Sequence, residues 1–484
     1  MSRKKDLGFA SLVLGGLVVS ATLGGAAFLT GDLIAVTRLI GTAGYVLGAT
    51  VLVLLCVVGY RQVRLGESAR RQLSAFSKSE SRHDYSRRVQ LDQFQSGLAR
   101  LRFLTEGISG YQAPFDPRLK LPFDEESDLP RVLFVTSNGA GVGHLTRCLA
   151  VARSGREKFQ AQFVSLSSSA EIVRLFGFDV LKFPSQAATA QDTAAWNDSF
   201  ATFFDAVCRL NHPRAIVFDG TWIYRGVHES AKRHGVSLIW LRRGLWMDTS
   251  DVTQLKTAHL LADRVLVPRD VADTADAGPV SASPGTVVPA PTLTTPSEFL
   301  TRDAALGELG LDPARGYVLV QLGAGAINDV SNAREQAISR ILTLSPSVDV
   351  VVGLSPLSND YVDNRPGVHV LRQYPLARYL AAFDFMVIAA GYNSIHESVR
   401  FQTPAVVVPN LQTSTDNQAL RAAEYERQGF GLAANSLEEL ADAIQRTSDP
   451  ELRRCFRKAL QSVSLPLDSG EGAASKIHGW MTCG

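Results

Sequence analysis

A histidine follows a glycine-rich turn in "NGAGVGHLTRC", residues 138–148, and an arginine stands three positions beyond it. Gly139, Gly141 and Gly143 let a backbone turn sharply and approach a ligand closely. The apolar run before the turn reads as a strand and the stretch after it as a helix, whose N-terminus offers unpaired N–H groups to an anion. His144 then stands in the first helical turn, where an imidazole titrating near neutrality can accept or donate a proton. The helix N-terminus is expected to lower its pKa and keep it neutral. A capping or packing histidine is the plainer account of a lone His; its place among three glycines and Arg147 favours chemistry.

Two familiar phosphate loops fail on their own requirements. A Walker loop ends in Gly-Lys-Ser/Thr, whereas here the residues are Gly143-His144-Leu145. A nicotinamide-binding turn wants an acid at the end of the next strand for the ribose, and that strand ends in Ser167, Ser168 and Ser169.

A second constellation lies in "FDFMVIAAGYNSIHESVRFQTPAVVVPNLQTSTDNQ". A strand ends at Gly391, Asn393 and Ser394 make a small polar turn, and Glu397 is placed in the first turn of the following helix. A carboxylate there can accept hydrogen bonds from a diol such as a ribose, or merely complement the helix dipole. Asp416, Asn417 and Gln418 begin the next helix, where capping is the simple reading. "QLGAGA", residues 321–326, ends another strand in a candidate phosphate turn.

The elements that must position these residues follow from the apolar runs. "RVLFVTS", "AQFVSLS", "DVLKFP", "RAIVFDG", "VSLIWLR" and "DRVLVP" are short buried strands separated by helix-length stretches. The Pro-, Ser- and Thr-rich residues 278–297 read as an interdomain linker. The alternation then restarts with "YVLVQLG", "VDVVVGLS", "GVHVLRQ", "FDFMVIAAG" and "PAVVVP". The expected fold class is α/β, with two tandem Rossmann-like domains over 131–295 and 296–484 and a ligand cleft between them.

The chain opens differently. Residues 7–29 and 39–60 carry no charge, and each meets the roughly 20 apolar residues that a membrane-spanning helix needs. A cleaved signal peptide is the rival for the first run, which is long for one and is followed almost at once by the second. Arg3, Lys4 and Lys5 precede the pair and Arg61, Arg64, Arg70 and Arg71 follow it. The expectation is a transmembrane hairpin over 1–60 in the cell membrane, with both ends and the α/β body cytoplasmic. Residues 61–130 read as a basic amphipathic stalk and linker: ten Lys/Arg stand against four Asp/Glu between Arg61 and Phe103. This helix suits a membrane surface or a solvated stalk equally. A formal net charge of +2 gives no basic field, so no nucleic acid partner is implied. Five scattered cysteines lack zinc-site spacing, and no Asp-x-Asp occurs. No metal and no cofactor are expected, leaving-group charge falling to backbone N–H groups and helix dipoles.

Over roughly residues 131–465 the two halves resemble a GT-B glycosyltransferase of family 28, the MurG-like enzymes that build lipid-linked wall precursors. The likeness is most specific over "AAGYNSIHESVRFQTPAVVVPNLQTSTDNQ". It implies an inverting transferase that moves a sugar from a nucleotide sugar, expected to be UDP-linked, to a lipid-linked or cell-envelope acceptor at the cytoplasmic face. Glu397 would hold the ribose; the main chain at Gly391, Asn393 and Ser394, with Gly323 and Gly325, would face base and diphosphate; Asn417 and Gln418 would contact sugar hydroxyls. The turn with Gly141, Gly143, His144 and Arg147 would face the acceptor, with His144 a base or a phosphate contact. Asp219, ending "RAIVFDG", is a second acceptor-side candidate, or a strand-end cap. The chain departs from the family's Gly-Gly-Ser-Gln type turn in Leu322-Gly323-Ala324-Gly325, and has Ala389-Ala390 where an Arg/Ser is usual. "GVGHLTRCLAVAR" is also similar to the loop of UDP-sugar hydrolases in pseudaminic acid synthesis, where His144 would activate water. A membrane-tethered binding protein with a decayed site is the non-enzymatic alternative, favoured by the altered 322–325 turn.

Overall fold

The computed structural model describes residues 117–137, 142–189, 191–323, 330–344, 346–355, 365–413 and 415–482. The expected hairpin at 1–60 and most of the stalk lie outside them. Among the described residues no helix is long and apolar enough to cross a membrane.

Seven strands make the first sheet: β1 (Arg131–Thr136), β2 (Gln160–Ser165), β3 (Val180–Lys182), β4 (Ala215–Asp219), β5 (Ser237–Leu241), β6 (Arg264–Pro268) and β7 (Thr286–Val288). Their order is β3-β2-β1-β4-β5-β6-β7, and every pairing is parallel. A parallel strand covered on both faces must be apolar throughout, which is why β1 and β4 read as unbroken runs. Alternate side chains still divide between the faces. Val132 and Phe134 pack with helix α1 (Gly143–Ser154), while Leu133 and Val135 pack with Phe200, Phe204 and Val207 of α2 (Thr193–Asn211). Helix α3 (Arg225–His234) follows β4 on that second face.

After β8 (Ala290–Pro291) the second sheet collects β9 (Gly316–Gln321), β10 (Val348–Gly353), β11 (Val368–Leu371), β12 (Phe385–Ala389), β13 (Ala405–Val408) and β14 (Gly431–Ala433). Its order is β11-β10-β9-β12-β13-β14, again all parallel. Its helices include α4 (Arg302–Leu309), α5 (Val330–Leu344), α6 (Tyr392–Arg400), α7 (Gln418–Arg427), α8 (Leu437–Thr447) and α9 (Pro450–Gln461). In both sheets the strand order reverses beside the first strand, between β1 and β4 and between β9 and β12. Crevices open at the C-terminal ends of strands at such reversals.

Three boundaries differ from the sequence reading. Leu121 and Phe123, assigned to the linker, are buried in the first core. Asn211 holds that segment by accepting from the Leu121 amide at 2.6 Å and donating to the Leu119 carbonyl at 2.8 Å. The expected linker at 278–297 supplies β7 to the first sheet, and β8 pairs with β15 (Leu467–Asp468), so the chain crosses between the domains twice, side by side. The last helix, α10 (Glu471–Thr482), was grouped with the second domain by the 296–484 boundary. Its Ala473, Ala474, Ile477 and Met481 are instead buried in the first core with α1.

Candidate active site

Two of the glycine turns that drew notice in the sequence, those at 138–143 and at Gly391, fall at the two reversals. The first follows β1. Gly141 lies outside the described residues, and α1 begins at Gly143, capped by Val142 with no side-chain hydrogen bond and no acid in its first turn. A Cβ on Gly143 would meet no atom within 4 Å, so protein packing does not demand a glycine there. His144 comes next, partly exposed, with Nδ1 2.6 Å from Oδ1 of Asp219. Asp219 is the last residue of β4, in register with Thr136 of β1, so adjacent parallel strands deliver the base and its carboxylate together.

Arg147, one helical turn past His144 and buried, closes on the same carboxylate, with Nε 2.9 Å from Oδ2 and Nη2 2.8 Å from Oδ1. Burial pushes the Asp219 carboxyl up, but Arg147 and His144 outweigh it and hold it below the usual range. Arg147 Nη2, a donor, also lies 3.0 Å from His144 Nδ1, but the shorter 2.6 Å contact to the ionised, acceptor-only Asp219 puts the proton on Nδ1 and leaves Nε2 with a free lone pair. Burial also pulls the His144 pKa below its ordinary value; Asp219 opposes this, while Arg147 and Arg243 reinforce it. The imidazole is therefore neutral, oriented and equipped as a proton acceptor. The expectation of a lowered pKa holds, with burial rather than the helix terminus as its leading cause.

The second turn follows β12. Gly391 caps α6, again without a side-chain hydrogen bond or an acid in the first turn, and a Cβ there would meet nothing within 4 Å. Asn393 reaches across the cleft, donating from Nδ2 to the Gly143 carbonyl at 3.2 Å, while its buried Oδ1 has no partner among the described residues. Ser394 sits half-buried beside it. Glu397 is the sixth residue of α6, in its second turn and not the first as expected. The side chain is half-buried, has no hydrogen-bond or ion-pair partner among the described residues, and burial pushes its pKa up to about 8. Its charge is felt by Tyr374, whose hydroxyl lies 2.7 Å from Thr146 Oγ1 of α1.

The remaining donor-side candidates divide. Gly323 stands two residues beyond β9 at φ 85°, a left-handed conformation suited to glycine, whereas Gly325 lies outside the described residues. Asn417 Oδ1 accepts from the Leu420 amide at 3.0 Å and so caps α7, as the simple reading had it. Gln418 accepts from the Asn410 amide at 2.9 Å and donates to Asp416 at 3.2 Å. Both side chains thus have partners inside the second domain.

Sequence reading missed the charged groups that join the domains. Arg421 of α7, fully buried, contacts Asp270 just beyond β6 at 2.9–3.2 Å and Asp416 at 2.9 Å, and Arg243 just beyond β5 also pairs with Asp416. The two arginines hold the Asp416 carboxyl far below its usual range despite burial. His396 donates from Nδ1 to the Tyr392 carbonyl at 2.6 Å and accepts at Nε2 from the Val271 amide at 3.2 Å. Burial pulls its pKa down to about 4, which keeps it neutral for that second bond. A small recess beside the dyad is lined by His144, Asp219, Thr221, Arg242, Arg243 and Trp246. The available signal was the strand-end rule applied to "LRR" and "PRD" as it had been to the glycine turns. Among the described residues no cluster of His, Cys, Asp and Glu is arranged to hold a metal ion.

With this geometry in place, the comparisons with known proteins are specific to parts of the chain. Over 87 residues it is 38% identical to the UDP-N-acetylglucosamine–N-acetylmuramyl-(pentapeptide) pyrophosphoryl-undecaprenol N-acetylglucosamine transferase of Opitutus terrae, covering 17% of this chain. The match spans 23% of that curated relative's length. Among solved structures, the glycotransferase of kitacinnamycin superposes at a TM-score of 0.50 with 18% identity, over 73% of this chain and 99% of that one. This likeness is one of fold, a GT-B-like pair of parallel α/β domains. Residues 354–466, which hold β11 to α9 and the Gly391–Glu397 turn, match the glycosyltransferase family 28 C-terminal domain.

Proposed function

We propose that the protein is an inverting glycosyltransferase that moves a sugar from a nucleotide sugar, UDP-linked, to a hydroxyl acceptor. Nε2 of His144 takes the acceptor proton as its oxygen attacks the anomeric carbon, and Asp219 stabilises the imidazolium that forms. The nucleotide lies against the second domain, with Glu397 on the ribose hydroxyls and the α6 N-terminus on the diphosphate. The single observation that carries this reading is the His144–Asp219 pair at one strand reversal, facing an unpartnered Glu397 turn across the cleft.

Electrostatics supports the diphosphate. Helices α1 and α6 bring uncapped N-termini without first-turn acids to within one asparagine side chain of each other. Two positive dipole ends so placed repel, and an anion between them removes the penalty. The uncharged runs at 7–29 and 39–60 and the Opitutus terrae relative, whose name joins a UDP-linked sugar to a pyrophosphoryl-undecaprenol, support a membrane-anchored enzyme with a lipid-linked acceptor. No metal enters this scheme; departing charge falls to backbone amides.

The test is nucleotide release from a panel of UDP- and GDP-sugars, with and without a membrane lipid extract. Release that requires lipid is the expected result. Release in water alone would make His144 the activator of water and the protein a hydrolase. Neither release nor binding of any nucleotide would sink both.

A further inference from the structure

We propose that Tyr374 is a positioning residue: through Thr146, its hydroxyl keeps the turn of α1 that carries His144 in register with the nucleotide-sugar domain. The inference deepens the transferase reading and rests on it for the place of the donor.

Asp219 and Arg147 orient the imidazole within the first domain, but they do not fix its distance from a sugar held by the second. That distance is set where the second domain touches the start of α1. Tyr374 stands three residues beyond β11, yet its ring packs on the first core, edge-on to Phe176 at 5.9 Å. Its hydroxyl lies 2.7 Å from Oγ1 of the buried Thr146. The direction of this bond follows from counting protons. Thr146 Oγ1 gives its one hydrogen to the Val142 carbonyl at 2.8 Å, so toward Tyr374 it accepts. Burial, with Glu397 adding to it, pushes the phenol pKa up and keeps this donor protonated. The Val142 carbonyl also takes the Thr146 amide at 2.8 Å, and Val142 is the residue that caps α1. Tyr374 therefore reaches, through Thr146, the backbone two residues before His144. Asn393 holds the next peptide, the one that joins Gly143 to His144, by donating to its carbonyl at 3.2 Å. That asparagine belongs to the donor turn and has a second polar atom left for a ligand, so its grip on α1 is shared with the nucleotide. Tyr374 gives both ring and hydroxyl to the first domain. It touches the helix that bears the base, and acts on the base through that helix.

The test compares Tyr374→Phe, Thr146→Val and the double variant in the full-length protein, by sugar-nucleotide turnover with membrane lipid extract and by calorimetric titration of UDP. Tyr374→Phe keeps the ring on Phe176 and should lower kcat by about 10- to 100-fold, the effect of a small misplacement of reacting groups. KM for the nucleotide sugar and the affinity for UDP should stay native. Thr146→Val should lose as much and the double variant no more than either, because two hydroxyls in one bond act as a unit. Thr146→Ser keeps the hydroxyl and should regain most of what Thr146→Val loses. A native kcat in Tyr374→Phe, or losses that multiply in the double variant, would overturn the inference. So would a joint fall in kcat, UDP affinity and melting temperature, which would make Tyr374 a structural tie to Phe176. Those outcomes leave the transferase reading standing. Nucleotide release in water alone, with the same dependence on Tyr374, would sink the transferase reading and keep the inference, since His144 then takes its proton from water. No turnover of any sugar nucleotide by the native protein would sink both.

Discussion

At the β1–α1 turn the polar groups face one another; at the β12–α6 turn they face the cleft. His144, Arg147 and Asp219 form a closed set in which each side chain fixes the next. Among the described residues Glu397 has no such partner, and Asn393 leaves its buried oxygen unpaired. The two turns stand at the strand reversals of similarly ordered sheets, one after the first strand, β1, and the other after β12, the strand beside the first strand β9; their contrast is one of task. A group that must present a lone pair in one direction needs its orientation settled before substrate arrives. A group that grips a ligand can leave its hydrogen bonds for that ligand to complete.

The largest effect should come from breaking the closed set at its centre. Asp219→Asn removes the carboxylate that pairs with Arg147 and the acceptor of the His144 proton. Leaving a buried arginine unpaired costs about 3–5 kcal/mol, and a misoriented histidine lowers turnover by a factor on the order of 10⁴. Thermal denaturation and sugar-nucleotide turnover measure the two losses. An unchanged melting temperature would show that the set is not coupled as drawn.

His144→Ala should be gentler on the fold and nearly as hard on turnover, lowering kcat by about 10²–10⁴-fold with nucleotide affinity unchanged. Weakened nucleotide binding in this variant would erase the division between the two turns. The pH profile sharpens the same point. With its pKa below the ordinary 6.5, His144 is a competent base throughout neutral pH, so activity should fall only as pH drops below that value. An acid limb centred above 6.5 would assign it to another group.

The difference between the turns also marks what the sequence could disclose. Strands β1, β4, β9 and β12 were legible because two-sided burial writes an uninterrupted apolar run. The two-residue β8 and β15 carry no such run, and the amphipathic α10 shows a buried face without showing which core receives it. His144 and Asp219 were both suspected, but they are 75 positions apart and only the strand order makes them a pair. Glu397 was found, with its turn of the helix misjudged by the start of α6. Arg242 and Arg243 escaped because a charged residue at a strand end ordinarily belongs in water, and Arg421 because one on a helix does.

On the open side the expected effects are smaller. Above pH 8, where the carboxylate is ionised, Glu397→Gln should weaken UDP binding by about tenfold, the loss expected for one charge-assisted hydrogen bond, with kcat at saturating donor near native. Its folded pKa of about 8 lies above the unfolded value near 4.5, so the folded state keeps a proton that the unfolded state releases. Stability should therefore decline as pH rises from about 4.5 through 8 and then level off. The glutamine variant lacks that slope, and denaturant titrations across this range should show its advantage over the native protein growing. Equal slopes would mean that Glu397 is ionised in the free protein.

The smallest structural change asks the most specific question. Gly391 has φ −70° and ψ 151°, values open to any residue, and a Cβ there would meet no atom within 4 Å. Gly391→Ala should leave stability within about 1 kcal/mol of native, the restriction that alanine places on the unfolded chain being offset by the poorer N-cap it makes. Gly431 is the contrasting control: a Cβ there would stand 1.9 Å from the Ala405 carbonyl oxygen, so its alanine variant should be strongly destabilised. If the space before Gly391 belongs to a diphosphate, the added methyl group occupies it and UDP affinity falls in a protein that is otherwise intact. Native affinity for UDP in Gly391→Ala would move the nucleotide away from α6, and the match of this turn to family 28 would then describe the fold without the site.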